Sequence, residues 1–564
     1  MTGIEIFLEI LARAGVSRIF GNPGSTELPL NEALAADGRF EYVFGLHEIP
    51  VMAMADGCAM ASGRWSVVNV HIACGLGNAM GMLYNAFREG TPLVLTAGQQ
   101  DRRLRLGEPV LEGDLVSVAR PWTKWSYEVA RVEDVATATR RALQIARTPP
   151  TGPVFLALPL DLQTQPHPPG PRGSGPEIDL APPSVLDPRV RPPLEAIEQA
   201  AELLRSAEHP VILAGSRVTE SGGVKALESL AEQLGAAVFA ESTPSHGRIP
   251  ISTSHPLARG NLPMWSDEMR RALEPFDVGL IVGMNWPRLY LHRQPENPSP
   301  LGMKWIHLDN DPREIAKNQA VAVGLIGDPR TGLEELQETL ARHQPTSTAR
   351  DAARARIEQM ARLRAVERER LIGSIEEQRG RRPMTSLTLM HALAESLPED
   401  VAVVEEAVTT HQNVFERLGV LRDPRAFFAH RGWALGWGLG CALGVKLAWP
   451  ERPVLGLIGD GAAMYGIQAL WSAAHHRIPA TFVIANNSQY KILKDCGRIL
   501  GLHRLEDPNC PGMNIAEPAV DFVGMARALG VDAVRVSEPE ELSERVRSSF
   551  AGDAPRLFEV PISG

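Results

Sequence analysis

The chain has 564 residues, of which 44% are hydrophobic and 22% charged, and its formal net charge is -10. This length exceeds what one hydrophobic core usually supports, so the sequence predicts about three domains. The acidic balance argues against a general binder of nucleic acid or of anionic membranes. The opening "MTGIEIFLEILARAG" is amphipathic and predicts neither a signal peptide nor a membrane span, and five cysteines without paired spacing predict reduced thiols in a cytoplasmic protein.

Apolar runs that are each followed by a helical pattern recur along the chain, among them "WSVVNVHIACG", "GPVFLALP" and "RPVLGLIGDG". This alternation predicts the α/β class, with doubly wound parallel sheets. A Pro/Gly-rich stretch at 166–192 and a charged helical stretch at 341–380 interrupt it. We therefore expect three domains, at 1–165, 193–340 and 381–564, joined by these two linkers.

The first domain contains "HIACGLGNAMG", which nearly matches the glycine fingerprint of a dinucleotide-binding turn. A nicotinamide dehydrogenase would also need an acidic residue at the end of the next strand, about 20 residues later. That strand, "PLVLTAGQQ", ends in Gln99 and Gln100. An NAD-dependent dehydrogenase is therefore a less favoured alternative, as is a regulatory protein that binds a cofactor without turnover.

The third domain contains "GLIGDGAAMYGIQALWSAAHHRIPATFVIANNSQY", in which two predicted strands end in polar residues. Asp460 and Asn487 thus fall at the carboxyl ends of parallel strands, where open α/β sheets bind ligands. A carboxylate, an amide oxygen and a backbone carbonyl, which we assign to Gln489, are hard ligands that suit Mg²⁺. Gly459 and Gly461 let the backbone approach an anion closely. The stretch therefore predicts a site for Mg²⁺ and a phosphate group.

This pairing of "GDG" with "NN" resembles the diphosphate-binding motif of thiamine diphosphate enzymes. The resemblance continues in "FGNPGSTELP", "NVHIACGLGNAMGMLYNA", "TGPVFLALPLD" and "ALGWGLGCALG", and is strongest to 2-oxo-acid decarboxylases of the benzoylformate decarboxylase type. It implies the three-domain α/β fold of that enzyme class, with thiamine diphosphate and Mg²⁺ as cofactors. It also implies a homodimer or homotetramer whose active sites lie at subunit interfaces.

The resemblance further assigns a role to each of five residues. It implies that Glu48 bonds the aminopyrimidine ring of the cofactor, and that Ser25 contacts the substrate carboxylate. His71 and His292 would transfer protons, and Leu435 would support the bent cofactor from below. Each residue also has a structural alternative: Glu48 and Ser25 as helix caps, His71 as a buried core histidine, His292 in a surface loop, and Leu435 in ordinary helix packing.

The implied reaction is the non-oxidative decarboxylation of a 2-oxo acid to an aldehyde and CO₂, with carboligase side activity. A carboligase of the acetolactate synthase type is the alternative, since it would use the same cofactor. Ile72 and Ile492 replace smaller residues of the benzoylformate enzymes, and Trp433 and Trp437 add bulk nearby. Because close packing penalises added volume, we expect a benzoylformate-like or a smaller, aliphatic substrate.

Overall fold

The computed structural model of the chain describes residues 1–167, 178–184, 186–242, 247–344, 346–507 and 509–563. Within them, three six-stranded sheets follow one another along the chain, and the strand pairings in all three are parallel. The strands are largely buried because helices flank the sheets, which is why they read as continuous apolar runs. The prediction of three doubly wound parallel-sheet units is confirmed.

The first sheet has the strand order β2-β1-β3-β4-β6-β5. Its strands are β1 (Arg18–Asn22), β2 (Glu41–Phe44), β3 (Ser66–Val70), β4 (Leu93–Gln99), β5 (Ser126–Glu128) and β6 (Val154–Pro159). Its helices are α1 (Gly3–Arg13), α2 (Leu28–Ala36), α3 (Glu48–Ser62), α4 (Ile72–Glu89), α5 (Leu115–Ala119), α6 (Val135–Arg147) and α7 (Leu160–Thr164). Strands β1, β2 and β3 are neighbours, so the turns that follow them meet at one edge of the sheet.

The central sheet has the order β12-β11-β10-β7-β8-β9. Its strands are β7 (Pro210–Ala214), β8 (Ala237–Ala240), β9 (Ala258–Asn261), β10 (Val278–Val282), β11 (Lys304–Asp309) and β12 (Val323–Ile326). Its helices are α8 (Leu194–Ser206), α9 (Ser216–Glu220), α10 (Val224–Leu234), α11 (Ser266–Leu273) and α12 (Pro329–Arg342). Of the predicted 166–192 linker, residues 168–177 and 185 lie outside the described residues, and the described remainder forms no helix or strand.

The charged stretch predicted as a helical linker forms one long helix, α13 (Ser347–Gln378). It packs through Ile357 and Met360 against the core of the central sheet, and through Leu371 and Ile375 against the core of the third sheet. Its remaining surface is mostly exposed and charged, which accounts for its polar sequence. Within the described ranges, no helix combines the length and the apolar character that crossing a membrane requires.

The third sheet has the order β14-β13-β15-β16-β18-β17. Its strands are β13 (Ala402–Glu406), β14 (Phe427–Phe428), β15 (Val454–Gly459), β16 (Thr481–Asn486), β17 (Asp532–Arg535) and β18 (Arg556–Pro561). Its helices are α14 (Ser386–Ser396), α15 (Val414–Leu418), α16 (Trp437–Ala448), α17 (Asp460–Gly466), α18 (Ala469–His475), α19 (Lys491–Ile499), α20 (Phe522–Ala528) and α21 (Pro539–Ser549). Neighbouring strands β15 and β16 bring the "GDG" and "NN" turns together.

Helices α3 and α16 cross closely and join the first sheet to the third. Glycines make this approach feasible: a Cβ at Gly440 would lie 2.9 Å from the carbonyl oxygen of Pro50, and a Cβ at Gly444 would collide with the carbonyl oxygen of Met54. Helix α3 begins at Glu48, and α16 follows Leu435. The crossing therefore ties together two helices that carry or adjoin predicted site residues.

Candidate active site

Three predicted site residues lie at the carboxyl ends of β1, β2 and β3. Ser25 begins a 3-10 turn after β1, Glu48 is the first residue of α3, and His71 stands between β3 and α4. Because these strands are neighbours, the three residues share one edge of the first sheet. We call Ser25, Glu48 and His71 the first-domain edge.

Glu48 is held by side chains from two other elements. Its carboxyl group is buried, with 1% of the residue exposed. Asn22 donates to Oε1 and Asn78 donates to Oε2, both at 3.0 Å, and Nε2 of His71 lies 3.9 Å from Oε1. The cap of α3 is His47, so the alternative of Glu48 as a mere helix cap does not hold. The structure brings Glu48 and His71 together, and adds two asparagines that the sequence reasoning missed.

Ser25 is not the N-cap that its sequence context suggested. Gly24 occupies the cap position without a capping side chain, and its N–H donates to Oε2 of Glu27 at 3.0 Å, which is the half of a capping box that the third residue supplies. A Cβ at Gly24 would lie only 2.5 Å from the Cβ of His71, which requires glycine there. The exposed Ser25 directly follows this close contact, so its hydroxyl is available next to the His71 turn.

Glu27 is a second buried carboxyl group that the sequence reasoning missed. In addition to the Gly24 N–H, it accepts the N–H of Gly98 at 2.7 Å and that of Ile72 at 3.4 Å. Burial raises the pKa of Glu27, and these backbone hydrogen bonds oppose the rise. Glu27 thus links the ends of β1, β3 and β4 and fixes the turns beside Ser25 and His71. Its spacing of three residues from the Gly24 cap is the signal that could have identified it.

The glycine-rich stretch after His71 lies inside helix α4 and is not a phosphate-binding turn. A Cβ at Gly75 would lie 2.9 Å from Cδ2 of His71 and 3.0 Å from Oε1 of Glu48. Glycine here makes room for the two catalytic candidates. The helix starts at Ile72, a buried β-branched residue with φ of +22°, a strained conformation of the kind that is concentrated at functional sites.

Asp460, Asn487 and Gln489 lie together at the ends of β15 and β16, and we call them the C-terminal edge. Asp460 accepts the N–H of Gly461 at 2.8 Å and that of Ser488 at 2.6 Å, while Oδ1 of Asn487 accepts the N–H of Gln489 at 3.1 Å. Burial raises the pKa of Asp460, and its backbone hydrogen bonds oppose the rise. Each of these side-chain oxygens keeps a free lone pair, so the donor set fits Mg²⁺ with a bound diphosphate.

The side chain of Gln489 is engaged elsewhere. Lys494 donates from Nζ to Oε1 of Gln489 at 2.6 Å and to Oδ1 of Asn514 at 2.7 Å. The predicted ligand from Gln489 is therefore its backbone carbonyl, in agreement with the role assumed from the sequence. Lys494 adds a positive charge beside the C-terminal edge that the sequence reasoning did not consider.

Leu435 is half-buried and packs against the core that the first and third sheets share. It immediately precedes Gly436, whose φ of +98° turns the chain into α16. This position, between a turn and a helix start, leaves part of its side chain at the surface of the domain. The supporting role of Leu435 beneath a cofactor stays a prediction.

His292 is not brought into contact with the first-domain edge. It lies between β10 and β11 and is exposed, and it forms no hydrogen bond or ion pair with the part of the chain that the structure describes. The same segment does reach the third domain, because the ring of Tyr290 packs against that of Trp433, with 5.1 Å between the ring centroids. The proton-transfer role of His292 stays a prediction.

Two of the four bulky residues that were expected to narrow the substrate site belong to the core. Ile72 is 1% exposed, and Trp437 is fully buried with its Nε1 donating to Asp56 at 2.6 Å. Their volume is taken up by internal packing, which corrects that part of the substrate argument. Ile492 and Trp433 are half-buried and remain candidates for the wall of the site.

The fold and the two edges define a three-domain α/β enzyme with a carboxyl–histidine pair on one domain and a set of oxygen ligands on another. Family models of thiamine pyrophosphate enzymes, another name for thiamine diphosphate enzymes, match all three domains. The N-terminal TPP binding domain matches residues 1–118, the central domain 197–336, and the C-terminal TPP binding domain 407–560. The chain belongs to the thiamine pyrophosphate enzyme family.

Named relatives narrow this assignment. The chain is 37% identical to benzoylformate decarboxylase of Pseudomonas aeruginosa, over 98% of this chain and 97% of that protein. It is 28% identical to the acetolactate synthase isozyme 3 large subunit of Escherichia coli, over 98% and 92%. The solved thiamine diphosphate-dependent 4-hydroxybenzoylformate decarboxylase of Rhodococcus jostii RHA1 is 31% identical, with a TM-score of 0.85 over 100% and 99%. The chain is thus an enzyme homologous to a carboxy-lyase.

Proposed function

We propose that this protein catalyses the thiamine diphosphate- and Mg²⁺-dependent, non-oxidative decarboxylation of a 2-oxo acid to an aldehyde and CO₂. The observation that carries the proposal is the first-domain edge, where a buried Glu48 carboxyl group lies 3.9 Å from an imidazole. A carboxyl group bonded on both oxygens is suited to fix an aminopyrimidine ring. An imidazole is the side chain best suited to proton transfer near neutral pH.

The residues of the two edges would have different roles, one edge binding the cofactor and the other transferring protons. When bound, thiamine diphosphate supplies a nucleophilic carbon and an electron sink. Asp460, Asn487 and the Gln489 carbonyl would hold Mg²⁺ and, through it, the diphosphate. Glu48 would exchange a proton with the aminopyrimidine, and His71 would deliver a proton to the reacting carbon. Ser25, exposed beside His71, would orient the substrate carboxylate, with Leu435 beneath the cofactor and His292 as a second proton carrier.

The substrate is proposed as benzoylformate-like, with a smaller aliphatic 2-oxo acid as the alternative. Two relatives are named for benzoylformate and 4-hydroxybenzoylformate, which favours an aromatic acid. The burial of Ile72 and Trp437 removes two arguments against an aromatic ring. Ile492 and Trp433 keep the smaller substrate under consideration, because both are half-buried near the predicted site.

A carboligase of the acetolactate synthase type is the second candidate. It is favoured by relatives of that name that align over almost the whole chain. Such an enzyme would capture a second carbonyl compound instead of a proton. The distance of 3.9 Å between Glu48 and His71 supports the decarboxylase, because an imidazole beside that carboxyl group would donate a proton to the reacting carbon. Carboligation would then be a side activity.

The test supplies the purified protein with thiamine diphosphate and Mg²⁺ and offers benzoylformate, 4-hydroxybenzoylformate, pyruvate and longer aliphatic 2-oxo acids. We expect CO₂ and an equal amount of aldehyde from at least one acid. Accumulation of acetolactate or another acyloin as the main product would replace the decarboxylase proposal with the carboligase. Absence of CO₂ from every acid, with the cofactor bound, would overturn both.

We also propose a cytoplasmic homodimer or homotetramer with active sites between subunits, and the domain limits predicted from the sequence. All five cysteines are free thiols, which agrees with a reducing compartment. Light scattering of the eluting protein would measure the mass of the assembly. A monomer that retains full activity would contradict a site shared between subunits.

A further inference from the structure

A cavity of about 480 Å³ lies at the amino ends of β1 and β3. Ser17 and Arg18 line it where β1 begins, and Trp65 and Ser66 line it where β3 begins. Pockets that bind small molecules commonly measure about 300–1,000 Å³. The first-domain edge is at the carboxyl ends of the same strands, so the cavity lies at the opposite edge of the first sheet.

Helix α3 runs from the first-domain edge to this cavity. Glu48 begins the helix, and Ala61 and Ser62, its last two residues, line the cavity. Glu48 and Ser62 are 14 positions apart, which is about 21 Å along a helix. Ala448, the last residue of α16, also lines the cavity. The cavity is thus formed by the first and third domains of one chain and is separate from both edges of the proposed active site.

The inner wall of the cavity is apolar. Val16, Phe20 and Cys58 line it, and all three are buried. Burial raises the pKa of the Cys58 thiol, so this group is uncharged near neutral pH. An apolar group that entered the cavity would therefore leave water for an apolar surface, which is favourable in proportion to the area buried.

The rim of the cavity is cationic. Arg64 and Arg147 line it and are exposed, and neither forms an ion pair with the residues that the structure describes. The guanidinium group of Arg147 lies over the ring of Trp65, 4.8 Å from its centroid. Arg18, which also lines the cavity, is already paired with Glu41 at 2.6 Å. Since no Asp or Glu is among the described residues of the lining, two positive charges are free to bind an anion.

We propose that this cavity binds a small amphiphilic carboxylate, with its charged group on Arg64 and Arg147 and its apolar tail against Phe20 and Cys58. A guanidinium group presents its N–H donors in a planar fork that matches a carboxylate. The formal net charge of the chain is -10, so this local pair of unpaired arginines differs in sign from the molecule as a whole. The inference is independent of the proposed function, because no residue of either edge takes part.

The first experiment varies the ligand. Isothermal titration calorimetry of the holoenzyme would measure the Kd of acetate, butanoate and hexanoate, with hexanol as the uncharged probe. We expect the affinity to rise with tail length, by up to about fourfold for each methylene group that is buried. Hexanol should bind at least about fivefold more weakly than hexanoate, since it cannot pair with the rim. Added salt should weaken the binding of hexanoate, because exposed charges are screened.

The second experiment varies the rim. Arg64→Gln and Arg147→Gln each remove one exposed charge, so we expect folded proteins whose Kd for hexanoate rises about fivefold, and further in the double variant. Arg141→Gln is the matched control. Arg141 is exposed on the same helix as Arg147, α6, and its guanidinium group also lies over a tryptophan ring, that of Trp125, but it does not line the cavity. This variant should keep the wild-type Kd, and melting temperatures check that all variants fold.

The rim variants also separate this cavity from the proposed active site, since a carboxylate bound at the active site does not contact the rim. A Kd for hexanoate that rises in both rim variants and stays unchanged in Arg141→Gln supports the proposal. The same Kd in the double variant and the wild type would overturn it, as would binding of hexanol as tight as that of hexanoate. Absence of measurable hexanoate binding would also overturn it.

Discussion

The two edges of the candidate site are built from different kinds of contacts. At the first-domain edge, side chains hold the reactive group: Asn22 and Asn78 each donate to one oxygen of Glu48, with His71 alongside. At the C-terminal edge, the backbone holds the predicted metal ligand: the carboxylate of Asp460 accepts two main-chain N–H groups. One edge is a network of side chains, and at the other the side-chain oxygens of Asp460 and Asn487 are held by backbone N–H groups.

This difference corresponds to two chemical tasks. A proton carrier must sit at a fixed distance from its partner, so the side chains around Glu48 need precise placement. A cation site needs several oxygens that keep a free lone pair, and backbone donors hold such oxygens in place without adding a competing charge. We therefore expect changes at the first-domain edge to affect turnover, and changes at the C-terminal edge to affect cofactor binding.

Glu48→Gln should have the largest effect. It keeps the size of the side chain but removes the acid, and a positioned acid or base contributes about 10²- to 10⁴-fold to a rate. We expect kcat to fall by that amount while the cofactor Kd changes little. Glu32→Gln, an exposed residue of the same domain, is the control. Unchanged turnover in Glu48→Gln would refute the role of Glu48.

Asp460→Asn should show the opposite pattern. Losing the charge weakens a charge-assisted contact that is commonly worth about 1.5–3 kcal/mol, or about 10- to 100-fold in affinity. We expect the Kd for thiamine diphosphate in the presence of Mg²⁺ to rise by that factor, with kcat partly restored at saturating cofactor. Asp553→Asn, exposed in the same domain, is the control. If Asp460→Asn lowered kcat and left the cofactor Kd unchanged, the assignment of the C-terminal edge to cofactor binding would be wrong.

Asn78→Ala should have a smaller effect on turnover than Glu48→Gln. It removes one of the two donors to Glu48 but leaves Asn22 in place. Loss of a hydrogen bond to a charged group predicts a fall in kcat of about tenfold. Asn297→Ala, exposed in the central domain, is the control. A fall in cofactor affinity without a fall in kcat would place Asn78 in binding instead of proton transfer.

The positions of Glu48, Asp460 and Asn487 at strand ends could be predicted from the sequence. Buried parallel strands read as continuous apolar runs, so their ends can be recognised, and polar residues that follow them must meet at one edge of a sheet. The three-sheet fold follows from the same alternation. These predictions need only local patterns and one rule about parallel sheets.

The partners of these residues could not be predicted in this way. Asn22 and Asn78 are 26 and 30 positions from Glu48, and their contacts with it depend on how β1 and α4 lie beside α3. Ile72 and Trp437 show the same limit. The sequence gives the size of these two side chains, but it does not tell that both are buried in the core. Side-chain direction is set by helix rotation and domain packing, which no local pattern encodes.

Asp56 lies two turns along α3 from Glu48, and a change there should alter the free energy of unfolding and affect turnover least. Burial raises the pKa of Asp56 to about 6, although it accepts a hydrogen bond from Trp437. An unfolded chain ionises this group near pH 4, so between about pH 4 and 6 the unfolded state loses its proton first and the free energy of unfolding falls as pH rises.

Asp56→Asn cannot ionise and keeps an acceptor for Trp437. Its gain in free energy of unfolding over the wild type should therefore grow from pH 4 to pH 7, by at most about 3 kcal/mol. Denaturant titrations across this range measure the difference, with Asp553→Asn as the control, and a gap independent of pH would contradict a raised pKa at Asp56.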